Sequence, residues 1–253
     1  MPSFTFPPVQ TMRFVVLGTG GTGGYLIRDL ARQISVLNTT VYADSPIQLC
    51  IVDADTVEPK NVARQNFLSS DVGKSKAAVL AARYGAAYGL QIESLPAYVT
   101  DSSHLTHLLA YDRSCLNVIV GCVDNHATRA LIAKFYATFT ASPLAWIDAG
   151  NEEYTGQVVF ALRTASAKLY PTVADVFPDV LTPTDKLPTD LSCADHAQAN
   201  PQSIATNMFA ANLLFMFCNI LMSRKLPDIA YVLFDTMIPS VVPILRSKVT
   251  LRF

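Results

Sequence analysis

The stretch that decides the fold is VVLGTGGTGGYL, residues 15–26. An apolar run ends in five glycines within seven residues, and a helix-like pattern follows at once. Glycine lets a backbone come close to an anion, and the amides of a helix N-terminus add partial positive charge. Gly18, Gly20 and Gly23 satisfy G-x-G-x-x-G, so the loop alone fits either a dinucleotide pyrophosphate or the triphosphate of ATP.

Outward from the loop, residues 13–17 (RFVVL) read as a buried strand and about 23–37 as a helix. Residues 47–53 (IQLCIVD) read as a second strand, closing a βαβ unit with a long connection, SVLNTTVYADSP. Helices are predicted at about 73–89, 101–111 and 127–140, and strands near 90–98, 116–125 and 144–150. This alternation specifies an α/β, Rossmann-like, mostly parallel sheet with helices on both faces. Ligands in such sheets sit outside the carboxyl ends of the strands, where Gly18, Asp53, Asp124 and Asp148 all fall.

Beyond residue 150 the pattern changes. GQVVFALR (156–163) reads as a strand, and prolines at 171, 178, 183 and 188 argue against any regular element over 169–191. An apolar helix follows near 201–222, with NP as its N-cap and first turn, and short β-like runs finish the chain. The expected organisation is one domain over 1–253, with a nucleotide-binding core at 13–165, a crossover loop at 166–200, and a C-terminal helix and strands at 201–253.

Composition narrows the function. A formal net charge of −1 without a basic block gives nucleic acid nothing to bind. The span 203–222 is about long enough to cross a membrane, but Asn207, Asn212 and Asn219 favour a helix buried in a core or a dimer interface. The N-terminus lacks a basic and then apolar leader pattern, so a cytoplasmic protein is expected. The five cysteines are scattered and form no C-x-x-C pair, so neither zinc nor a disulfide framework is expected. Cys115, Cys122 and Trp146 read as core, and His104 and His107 as a solvated helix face.

The choice of anion turns on VDADTVEPKNVARQNFLSSDVGKSKA (52–77). Asp53 ends the second strand, where an acid commonly takes a ribose hydroxyl. Past it stand Asp55, Asn61, Arg64, Gln65 and Lys76, a polar cluster for which a dinucleotide has no use. Two cations suit a triphosphate. Asp124, in GCVDN, suits a Mg²⁺ ligand holding phosphate oxygens, although Asp124 or Asn125 could equally cap the next helix.

GTGGTGG, DADTVEPKNVARQ, VGKSK and CVDN with Arg129 following resemble, in order, the motifs of the ThiF/MoeB/ubiquitin-activating-enzyme family. The later stretches DAGNEEYTGQVV and LSCADHAQANPQSIATNMFAANLL resemble ThiF-type proteins of PRTRC gene clusters. The resemblance implies ATP- and Mg²⁺-dependent adenylation of the C-terminal carboxylate of a small ubiquitin-like or sulfur-carrier protein by a homodimer. It implies that Gly18, Gly20, Gly21 and Gly23 wrap the nucleotide and Asp53 holds the ribose. Asn61, Arg64 and Lys76 would bind phosphates, with Asp124 on Mg²⁺. Cys193, after the proline-rich loop, stands where some members place a reactive cysteine, with His196 three residues on.

Three departures accompany it. The only arginine before the glycine loop is Arg13, on the strand itself, so the arginine finger of many members is absent, replaced or supplied by another protein. The zinc-binding cysteine pairs are missing, and no ubiquitin-fold or rhodanese domain is expected to follow. Competing readings are an NAD(P)-dependent oxidoreductase using Gly18 to Gly23 and Asp53, and a non-catalytic nucleotide-binding scaffold.

Overall fold

The computed structural model describes residues 5–187 and 203–249. Strand β1 (Thr11–Leu17) alternates its side chains between two cores, which is why its sequence is an unbroken apolar run. Phe14 and Val16 face the core built with α1 (Gly21–Asn38), whereas Val15 and Leu17 face the opposite one. The chain then alternates through β2 (Gln48–Val52), the one-turn α2 (Pro59–Val62), α3 (Lys76–Tyr88), β3 (Ile92–Leu95) and α4 (Ser102–Leu108). It continues through β4 (Cys115–Gly121), α5 (His126–Thr138), β5 (Leu144–Asn151) and β6 (Thr155–Arg163). A one-turn α6 (Val173–Val176), α7 (Ile204–Met222), β7 (Ile229–Asp235) and β8 (Ser240–Leu245) complete it.

The eight strands lie in the order β3-β2-β1-β4-β5-β6-β7-β8. Pairings from β3 to β5 are parallel, and those from β5 to β8 are antiparallel. The chain leaves β1 first for one side and later for the other, so the carboxyl ends of β1 and β4 flank a topological switch point.

Helices α1, α3 and α7 cover one face and α4 and α5 the other. The connection after α1 is ordered by Asn38, which exchanges two hydrogen bonds with Ile47, and by Tyr42, whose buried hydroxyl donates to the Met222 carbonyl at 2.9 Å. Trp146 is buried, and His104 and His107 are exposed. Helix α7 is long and apolar enough to cross a membrane by length and composition. In this fold its inner face, including Ala210, Leu214, Phe217 and Leu221, is buried against α1 and the sheet.

Several element limits differ from the sequence reading. Helix α1 begins at Gly21, inside the glycine loop, because Gly20 caps it without a side chain to announce the start. Helix α3 begins at Lys76 rather than 73, since Gly73 turns the chain at φ +83° and Ser75 accepts the capping bond from Ala78 N. Helix α7 begins at Ile204 with Ser203 as its cap; Asn200 and Pro201, expected there, lie outside the described residues. Residues 169–191 do contain ordered turns: α6, capped by Thr172, and a 3₁₀ turn over Pro178–Leu181. Pro178 opens that turn, where a missing N–H costs nothing.

Candidate active site

The carboxyl ends of β1, β2, β4 and β5 open into one cleft of about 1040 Å³. The glycine loop forms its floor. Gly18 donates its N–H to Val52 O at 2.9 Å, and Cys122 donates to Leu17 O at 2.8 Å, so the loop is stitched between β2 and β4. Gly18 has φ +91°, and a Cβ there would lie 2.6 Å from Cys122 O. A Cβ on Gly23 would overlap the Gly18 carbonyl oxygen, so α1 meets β1 only through glycine. The first helical bond runs from Gly24 N to Gly20 O, and no side chain among the described residues caps the amides of Gly21, Thr22 and Gly23. They remain available to an anion.

Asp53 fastens this loop. Its Oδ2 accepts from Thr19 N at 2.7 Å and Thr19 Oγ1 at 2.6 Å, and its Oδ1 accepts from Asp55 N at 2.8 Å. Burial pushes its carboxyl above the usual range. Both oxygens therefore have protein partners, which adds an architectural task to the ribose contact expected from the sequence. Asn61 likewise closes the α2 turn, accepting from Glu58 N at 2.8 Å. Asn125 caps α5 by accepting from Thr128 N at 2.8 Å, while Asp124 stays exposed at the cleft edge.

The cations line the same cleft. Lys76 is buried and pairs with Asp55 at 2.8 Å, and Asp55 also accepts from the Tyr98 hydroxyl at 2.7 Å. Burial first, then Asp55, pushes the Tyr98 phenol up. Arg64 Nε and Gln65 Oε1 are buried in the wall with no hydrogen-bond partner among the described residues. A buried polar atom left so costs about 1–3 kcal/mol, and native structures keep few of them. Atoms left so in the wall of a cleft are placed to meet a bound ligand.

The residues present fit the groups implied by the sequence. Gly18, Gly20, Gly21, Arg64 and Lys76 could hold phosphates, and Asp124 could hold Mg²⁺, which commonly takes one or two carboxylates together with substrate phosphates. Among the described residues no group of three or more His, Cys, Asp or Glu is placed to hold a metal by itself. Gly23 does not line the cleft; its part is the close packing beneath it. Arg13 is remote, held by Leu108 O, Gln48 and Glu93 at the amino end of β1. Cys193 lies outside the described residues.

Sequence reasoning missed several parts. Cys122, read as core together with the buried Cys115, does pack against the core but also lines the cleft, where burial raises its thiol. Arg129 and Asp148 form a buried pair at 2.7 Å. Arg129 also donates to Val123 O at 2.6 Å and Ala149 O at 2.8 Å, clamping the ends of β4 and β5. Burial pushes the Asp148 carboxyl up and Arg129 opposes it. Asp148 at a strand end, with Arg129 in the next helix, was the available signal. Asp185 accepts from His126 N at 2.6 Å and Ala127 N at 2.8 Å, holding the proline-rich segment at the start of α5.

A model of the ThiF family matches residues 8–220. The chain belongs to the ThiF family. It is 38% identical over 78 residues to the NEDD8-activating enzyme E1 catalytic subunit of Caenorhabditis elegans, a match covering 30% of this chain and 16% of that protein. PaaA shares its fold with TM-score 0.62 at 14% identity, over 94% of this chain and 65% of PaaA. E. coli MccB solved with ATP gives TM-score 0.60 at 16% identity, over 92% of this chain and 63% of MccB. This ThiF-family chain thus spans about two thirds of its structural neighbours and a small part of the curated relative.

Proposed function

We propose that this ThiF-family chain adenylates a carboxylate with ATP. The observation that carries the reading is the orphaned pair Arg64 Nε and Gln65 Oε1 in the wall of a glycine-floored cleft. An oxidoreductase using the same loop would leave Arg64 and Lys76 without a task. Family membership and an MccB structure with ATP support the nucleotide. A relative named as a NEDD8-activating enzyme, and an MccB structure with MccA, support a small protein or peptide as the source of the carboxylate. Its C-terminus would be the reacting end.

The chemistry brings an anion to an anion. The carboxylate is already ionised near neutral pH, so no base is needed; the barrier is repulsion and positioning. Amides of the glycine loop, Arg64 and Lys76 offset the phosphate charge and stabilise the pyrophosphate as it leaves. Lys76 pairs with Asp55, so phosphate and Asp55 would compete for it. Mg²⁺, held by Asp124 and phosphate oxygens, would supply further charge neutralisation.

ATP–pyrophosphate exchange in the presence of candidate small proteins ending in a free carboxylate tests the reading. Label should return to ATP only with the cognate protein. Tight NAD binding with no exchange for any candidate would overturn it. Transfer of the acyl group to Cys193 is a further step of the same proposal. The thiolate would attack the adenylate carbonyl, forming C–S and expelling AMP. It predicts a thiol-sensitive adduct that disappears in Cys193→Ala.

A further inference from the structure

Asn207 sits in the first turn of α7 and is buried at 2% exposure, yet it lines the cleft. Two donors converge on its oxygen: Thr22 Oγ1 at 3.1 Å and Asn151 Nδ2 at 3.0 Å. That arrangement turns its amide nitrogen toward Gly21, where a Cβ would collide with Nδ2. Nδ2 has no acceptor among the described residues. A buried side chain anchored by its oxygen, with a free donor beside the start of α1, is built to meet something.

The two flanks of the glycine loop differ in charge. Gln65 faces Gly20, and with it come Arg64 and Lys76. On the Asn207 flank the wall is Gly150, Asn151, Glu152, Glu153 and Gln157, and Arg129 there is committed to Asp148. Polyphosphate belongs with the cations. Exposed carboxylates beside neutral amides repel a polyanion but accept a peptide main chain with a single terminal charge.

We propose that Asn207 Nδ2 donates a hydrogen bond to the acyl end of the reacting pair, making Asn207 a binding residue for the carboxylate substrate rather than for ATP. The inference rests on the adenylation reading. In that step a carboxylate oxygen forms a bond to the α-phosphorus. The bond from that phosphorus to the bridging oxygen breaks, and pyrophosphate leaves with the electron pair. Asn207 exchanges no proton; it holds the acyl oxygen in line.

Calorimetric titration with two defined probes tests this. One is α,β-methylene ATP. The other is glycyl-sulfamoyl adenosine, in which a sulfamate replaces the phosphate of an acyl adenylate. Asn207→Ala should weaken the acyl probe by about tenfold or more, since a hydrogen bond to a charged or strongly polar group has that size, and the ATP analogue by less than about threefold. Equal losses on both probes, which a merely loop-supporting role would give, overturn the inference, as does no loss on either. Wild-type protein that binds neither probe overturns the adenylation reading itself. Should Asn207→Ala fail to fold, the side-chain NH₂ resonance of Asn207 in the wild-type protein carries the test. It shifts with the acyl probe and not with α,β-methylene ATP; the reverse pattern refutes the assignment.

Discussion

Among the described residues Arg64 buries a guanidinium nitrogen against no acceptor, and the fold tolerates this only at a free-energy cost. Replacing it with an apolar chain of similar length should therefore help the empty protein and ruin the occupied one. Arg64→Met is expected to raise the melting temperature without nucleotide by about 2–4 °C, the shift that ~1 kcal/mol gives a chain of this size. It should also lower pyrophosphate exchange by about 10²–10³, the loss typical of deleting one donor from a charge-stabilising site. Calorimetry with and without ATP separates the two effects, because the variant's melting temperature should no longer rise with nucleotide. Asp148 presents the opposite case. It is the counter-charge of a buried, clamping arginine, so Asp148→Ala should cost about 3–5 kcal/mol in urea unfolding.

At the scale of elements, β1 was legible because a strand buried on both faces must be apolar throughout. The glycine loop was legible because three of its glycines keep a fixed spacing. Helix starts were less so: α1 opens on Gly20, which offers no capping side chain, and Ser203 at the start of α7 makes no side-chain capping bond. The polar cluster over 53–76 was recognised as a group, but not that Asp53 and Asn61 also build the turns presenting it. Asn207 read only as polarity within an apolar helix, since its partners Thr22 and Asn151 are remote in sequence. The amino end of β1 shows a different economy of charge. Hydrogen bonds from Arg13 hold Glu93 below the usual carboxylate range. A depressed carboxyl contributes stability above its unfolded value, about 4.3, and loses it as pH falls through the lower folded value. Glu93→Gln should thus flatten the fall in urea midpoint between about pH 5 and pH 3. The change is small, since the Glu93 side chain is 53% exposed.

In the whole molecule, the cleft draws on strands from both sides of the switch point and on a helix that arrives after β6. Ligands should therefore protect distant parts together. Hydrogen exchange is expected to slow at Gly21–Gly24 and Arg64–Lys76 with α,β-methylene ATP, and in the first turn of α7 as well with glycyl-sulfamoyl adenosine, while β8 stays unchanged with either. Protection confined to the first two regions would separate α7 from the site. The bond between Thr22 and Asn207 spans 185 residues. At about 5–20 residues per second, the loop emerges from the ribosome roughly 10–40 s before the helix that flanks it. During synthesis, then, the glycine loop waits for the flank that Asn207 completes.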